Sequence, residues 1–129
     1  MKTRGFSPGL EGVIALETEI SFLDTEKEKI VIRGEDLIEL SKEKTYVDVA
    51  YLLLEGKLPN EDERQAFENQ LKENYHIPDA VIDILKLLPK NTHPMDGQRT
   101  AISVLGGFDT NIDDRSAAEN KQRAIKLLG

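Results

Sequence analysis

Thr45-Tyr46-Val47-Asp48-Val49-Ala50-Tyr51-Leu52-Leu53-Leu54-Glu55-Gly56 reads as one complete helix with both of its ends written out. Thr45 is a good N-cap, and Asp48 falls in the first turn, where a carboxylate meets the helix dipole favourably. Gly56 stands just past the end, the usual place for a left-handed C-terminal residue. Asp48 aside, the helix is apolar on nearly every side, and a helix of that kind must be buried all round.

Working outward, the chain is mostly α with one β element ahead of this helix. Residues 1–12 hold three glycines and Pro8 and are expected as an extended arm. A β-hairpin is expected over 18–33. Its arms are Thr18-Glu19-Ile20-Ser21-Phe22-Leu23 and Lys29-Ile30-Val31-Ile32-Arg33, rich in β-branched and aromatic residues. The link Thr25-Glu26-Lys27-Glu28 lacks glycine, which points to a four-residue loop built on a type I turn. Helices are expected over 35–129, beginning with a short one at 35–41.

Beyond Pro59, Asn60 is an N-cap with Glu63 three residues on, close to a capping box. Phe67, Leu71 and Tyr75 form one apolar stripe on the helix that follows. Pro78 opens another helix, with Val81, Ile82, Leu85 and Leu88 expected to face inward. Pro94 starts a further one carrying Ile102, Val104 and Leu105, closed by Gly106-Gly107. Asp113 or Asp114 caps a last helix with Ala117, Ala124, Ile125 and Leu128 as its apolar positions. Nothing follows Gly129 to fold back on that helix, so the chain end reads as a cut.

Composition narrows the function classes. At 129 residues the chain is the size of one ordinary domain, and 39% hydrophobic with 32% charged residues suits a folded helical protein rather than a disordered one. A net charge of -7 argues against nonspecific nucleic-acid binding and lends no support to an anionic membrane partner. With no cysteine, disulfides, thiolate metal sites and a cysteine nucleophile are excluded. No apolar run approaches the length of a membrane span, and Pro8, Gly9 and Glu11 interrupt any signal-like segment. A cytoplasmic protein is expected.

Three places hold residue types that can carry chemistry. Arg33-Gly34 sits where a strand gives way to a helix: glycine permits the bend, and the arginine either caps or pairs with Glu35 or Asp36, or contacts an anion. His93 and Asp96, three apart across a helix start, could form a histidine–carboxylate couple, but His93 also suits an N-cap with Asp96 in the first turn. The structural reading is favoured in both cases. His76, after Tyr75 at a helix end, is expected to be structural. The two histidines have no ligand partner at helical spacing, and phosphate-loop and nucleophile-elbow patterns are absent. No catalytic, cofactor-binding or metal residue is expected in these 129 residues.

An ordered series of motifs resembles the citrate synthase and 2-methylcitrate synthase family. Gly9-Leu10-Glu11-Gly12-Val13-Ile14-Ala15 is similar to the family's opening. Arg33-Gly34-Glu35-Asp36-Leu37 follows, then Val49-Ala50-Tyr51-Leu52-Leu53-Leu54-Glu55-Gly56-Lys57-Leu58-Pro59, then His93-Pro94-Met95-Asp96 with Arg99-Thr100. Departures stand at Ile32 and Glu35, where the family often has an aromatic, and at Gly97-Gln98, where it has apolar residues. The glycine should weaken its helix by about 1 kcal/mol relative to alanine.

The resemblance implies the N-terminal part of a helical large domain over 1–129, supplying scaffold and part of a homodimer surface. The full-length enzyme would condense acetyl-CoA or propionyl-CoA with oxaloacetate, the coenzyme A thioester being substrate and no cofactor being bound. The family's catalytic histidine motifs and its catalytic aspartate have no counterpart here, so the fragment alone is expected to be inactive. Exposed apolar helix faces would make it self-associate. The alternatives are a non-catalytic helical interaction or regulatory module, and a small separate enzyme built on His93 and Asp96.

Overall fold

The computed structural model describes residues 9, 12–14 and 16–129, so most of the expected arm over 1–12 lies outside the described residues. The chain divides into two compact units, Met1–Lys57 and Leu58–Gly129.

The first unit holds a three-stranded antiparallel sheet, β1 (Ser21–Asp24), β2 (Lys29–Ile32) and β3 (Glu35–Asp36), followed by α1 (Leu37–Glu43) and α2 (Tyr46–Glu55). The expected hairpin is present, with Phe22 opposite Val31 and Leu23 opposite Ile30. Its loop is the four residues 25–28, closed by Asp24, whose Oδ1 accepts from the N–H groups of Glu26 and Lys27. The third strand was not expected. Arg33 and Gly34 both have positive φ, 49° and 90°, as a two-residue primed turn requires, so the chain doubles back and pairs Glu35 with Ile32. That turn also delays α1 to Leu37, leaving Asp36 as its N-cap: Oδ1 accepts from Ile38 N–H at 2.9 Å and Glu39 N–H at 3.3 Å.

Both written ends of α2 are found. Thr45 and Asp48 form a reciprocal capping box, in which Asp48 N–H donates to Thr45 Oγ1 and Thr45 N–H donates to Asp48 Oδ2 at 2.8 Å. The Thr45 hydroxyl also donates to that carboxylate at 2.7 Å. Gly56 closes the helix at φ 76°, its N–H donating to the Leu52 carbonyl. Burial all round is not what results. Ala50 and Leu52 are buried and so is Asp48, while Tyr46 is 63% exposed and Val47, Val49, Tyr51, Leu53 and Leu54 are half-buried. The carboxylate goes inside because its oxygens are occupied by the cap it makes.

The second unit is four helices, α3 (Glu61–Glu73), α4 (Asp79–Leu87), α5 (Pro94–Gly106) and α6 (Ala117–Leu128). Asn60 and Glu63 complete the expected capping box of α3. Its stripe stops at Leu71: α3 ends at Glu73, where Asn74 and Tyr75 turn their N–H groups onto Leu71 and Lys72, and Tyr75 is left 58% exposed. His76 therefore lies in the connection to α4 rather than on a helix. Helices α3 and α6 are in contact, and Phe67 and Leu71 of α3 and Ile125 of α6 are nearly fully buried.

Phase is where α4 and α5 depart from expectation. The inward stripe of α4 is Val81, Ile84, Leu85 and Leu88, with Ile82 one residue out of phase and 37% exposed. In α5 it is Gly97, Thr100, Ala101, Val104 and Leu105, and Ile102 is 44% exposed. Both sets follow helical spacing once the first inward residue is known. The cap of α6 is Ser116, whose Oγ accepts from Glu119 N–H, not Asp113 or Asp114. Asp114 instead accepts from Ser116 N–H at 2.8 Å, and Ala117 is exposed.

Gly97 lies where α5 meets α4, and a Cβ added there would stand 4.0 Å from the side chains of Leu85 and Leu88, ordinary van der Waals contact. Gly97→Ala should therefore stabilise the chain by about 0.5–1 kcal/mol, from helix propensity and lower unfolded-chain entropy. Urea unfolding followed by circular dichroism measures it, and a loss of stability would show that the two helices cannot give the needed space.

Candidate functional site

Arg33, His93 and Asp96 each have a definite structural partner. Arg33 spans 20 residues to place Nη2 3.2 Å from the backbone carbonyl oxygen of Leu53, in the last turn of α2. That turn carries no basic residue of its own, so the guanidinium supplies the cation that the carbonyl end of a helix favours. The pairing with Glu35 or Asp36 does not form; Asp36 faces Lys29 at 3.7 Å. Arg33 Nε is buried without a hydrogen-bond partner, a cost set against the cap.

His93 is the N-cap of α5: Nδ1 accepts from Met95 N–H at 3.2 Å, and Pro94 takes the first helical position. Asp96 pairs with Arg99 at 3.0 Å, one turn on, instead of His93. The couple is therefore not assembled, and both side chains are occupied in starting and lining their own helix.

A third cluster went unseen in the sequence. Arg123, on α6, donates from Nε to Asp109 Oδ2 at 2.6 Å, from Nη1 to the Asp114 carbonyl at 2.6 Å and to Asn120 Oδ1 at 3.1 Å, and from Nη2 to the Asn111 carbonyl. Glu119 Oε1 stands 4.0 Å away. The guanidinium, and then the Asn111 N–H, hold the Asp109 carboxyl below the usual carboxylate range, while Asp109 raises Arg123. A basic residue 14 positions from its acid, on another element, leaves no local spacing signal.

Among the described residues no group of three or more histidines or carboxylates stands close enough to hold a metal, and no helix is long and apolar enough to cross a membrane. An open depression lined by Glu17, Thr18 and Glu19 presents two carboxylates, the wrong sign for an anionic substrate. In the structure Arg33, His93 and Arg123 each hold a helix end or a connecting segment.

A family model described as citrate synthase, C-terminal domain, matches residues 9–129. The chain belongs to the citrate synthase family. A citrate synthase of Heyndrickxia coagulans is 55% identical over all of this chain and 35% of its own length. The citrate/2-methylcitrate synthase of Bacillus subtilis strain 168 is 53% identical over 96% of this chain and 33% of its own. The chain thus spans about a third of the curated relatives it matches. Among solved structures, the citrate synthase of Pyrobaculum aerophilum matches at TM-score 0.83 and 29% identity over 93% of this chain and 32% of that one. That of Thermoplasma acidophilum, a ternary complex with carboxymethyl coenzyme A and oxaloacetate, matches in fold at TM-score 0.89 and 24% identity, over 97% of this chain and 33% of that one. The mostly α fold with its small N-terminal sheet is the one these citrate synthases share.

Two predictions come from the arginines. Arg33→Ala should destabilise the citrate synthase chain by about 1–2 kcal/mol, through loss of the charged cap on Leu53. Arg33→Gly should cost less than Arg33→Ala, because glycine relieves a positive φ that costs an L-residue about 1–2 kcal/mol. Equal losses in urea unfolding would show that the turn is unstrained.

For Asp109, the folded carboxyl binds a proton less readily than the unfolded one. Its stabilisation is therefore fully present above the unfolded value of about 4 and is lost as pH falls through the lower folded value. Arg123→Gln should flatten this part of the acid limb when urea midpoints are followed from about pH 7 to about pH 3. An unchanged acid limb would remove Asp109 from the pH dependence.

Proposed function

We propose that this chain is the N-terminal third of a citrate or 2-methylcitrate synthase, an acyltransferase that converts the acyl group to alkyl on transfer. The whole enzyme condenses acetyl-CoA or propionyl-CoA with oxaloacetate in the cytoplasm. The observation that carries the reading is 55% identity to a citrate synthase along the entire chain. The N-terminal position rests on the order of the motifs at 9–15, 33–37, 49–59 and 93–100. The fold match to an enzyme seen with carboxymethyl coenzyme A and oxaloacetate is consistent with those ligand classes.

In this reading the 129 residues supply scaffold and part of a homodimer surface, and no catalytic, cofactor-binding or metal group. The engagement of His93 and Asp96 in starting α5 supports a structural role for both. The condensation needs a carboxylate to take a proton from the acyl carbon and donors to hold the enolate that forms. Those groups belong to the remainder of the enzyme. Identity along the whole chain favours this over a stand-alone helical interaction or regulatory module. Exposed Leu87, Met95 and Ile102 support self-association, since apolar area left in water favours a second surface.

Thiol release from acetyl-CoA or propionyl-CoA with oxaloacetate should match the buffer blank for the 129-residue chain, and clear turnover would overturn its non-catalytic role. Light scattering after size exclusion should give a dimer or larger species; a single species of 14.5 kDa would overturn the self-association.

A further inference from the structure

The segment between α5 and α6 has little burial to order it. Phe108 is 51% exposed and Ile112 is 65% exposed, and residues 110–116 are all exposed. Its own hydrogen bonds are short-range: Asn111 N–H to Asp109 Oδ1, Asp114 N–H to the Asn111 carbonyl, and Ser116 N–H to Asp114 Oδ1. Such contacts shape turns but do not attach the segment to anything. The attachment comes from α6. One guanidinium reaches the Asp109 carboxylate and the carbonyls of Asn111 and Asp114, while Asn120 Nδ2 donates to the Arg115 carbonyl at 3.2 Å. Asn120 Oδ1 in turn accepts from Arg123, so the two α6 side chains brace each other.

We propose that residues 109–116 form a strap latched shut by Arg123, with a closed and an open state governed by this one side chain rather than by the apolar core. Arginine suits the task because its planar fork offers several donors in fixed directions, so three points along the strap are gripped at once. Asp109, Asp114 and Glu119 are the acidic residues whose charges bear on it, and Lys126 adds a cation near Asp109. Release of Arg123 frees Asn111 and Asp114 together and removes the brace on Asn120. The Arg115 carbonyl is then unheld, and the first turn of α6 loses the segment that carries its Ser116 cap. Opening is a local event, because Leu71, Val81 and Ile125 remain buried elsewhere in the unit.

Trypsin reads the latch directly, since the Arg115–Ser116 bond lies in the strap and its carbonyl is hydrogen-bonded in the closed state. When cleavage is slower than reclosing, its rate follows the open population. With the intact 129-residue chain, Asp109→Ala and Arg123→Gln should each be cut after Arg115 at least about fivefold faster than the unsubstituted protein. Arg123→Lys should pass the same threshold, because a single ammonium cannot reproduce the fork. A smaller increase in any of the three variants overturns the proposal. Cleavage after Lys90, in the α4–α5 connection, is the control. If it accelerates by the same factor as Arg115, through global unfolding, Arg123 holds the whole unit and the strap is not a separate element.

Discussion

Short helices must have their ends satisfied before packing can hold them, and in this chain that constraint governs the structure. The six helices among the described residues run from seven to 13 residues, a length range that is marginal in water without help. Five of them begin on a side chain that accepts from the first turn: Asp36, Thr45, Asn60, His93 and Ser116. Only α4 starts without one, on Pro78. Each cap is worth about 1 kcal/mol, comparable with a well-buried methylene. The buried Asp48 follows from this constraint, because a carboxylate committed to a capping box can be taken out of water where an uncommitted one cannot.

The same constraint bears on function. Residues of the kind that perform acid–base chemistry are present, yet their hydrogen-bonding capacity is directed at the backbone. His93 offers Nδ1 to Met95, Asp36 offers its oxygen to Ile38 and Glu39, and Arg33 reaches the last turn of α2. These side chains start and close their own helices, in a chain that belongs to the citrate synthase family. The arginines do the longer-range work: one joins a turn to a helix end, the other joins a connection to the helix that follows it.

What the sequence by itself determined is whatever closes within three or four residues. The caps at Thr45, Asn60 and His93, the stop at Gly56, the four-residue hairpin loop and the mostly α class were all legible, because capping and turn geometry depend on a side chain and a backbone group in the same turn. The ordered motifs made the family legible as well. What only the tertiary structure decided is phase, strand count and the distant partner. Ile82 and Ile102 look as apolar as Val81 and Val104, and only the packing partner chooses which lies inward. The third strand required Arg33 to take a positive φ, an unfavourable conformation that makes sense once its side chain is seen on Leu53. Arg123 and Asp109 carry no pattern at all, for two charges 14 residues apart are brought together by the course of the chain between them and not by any local rule.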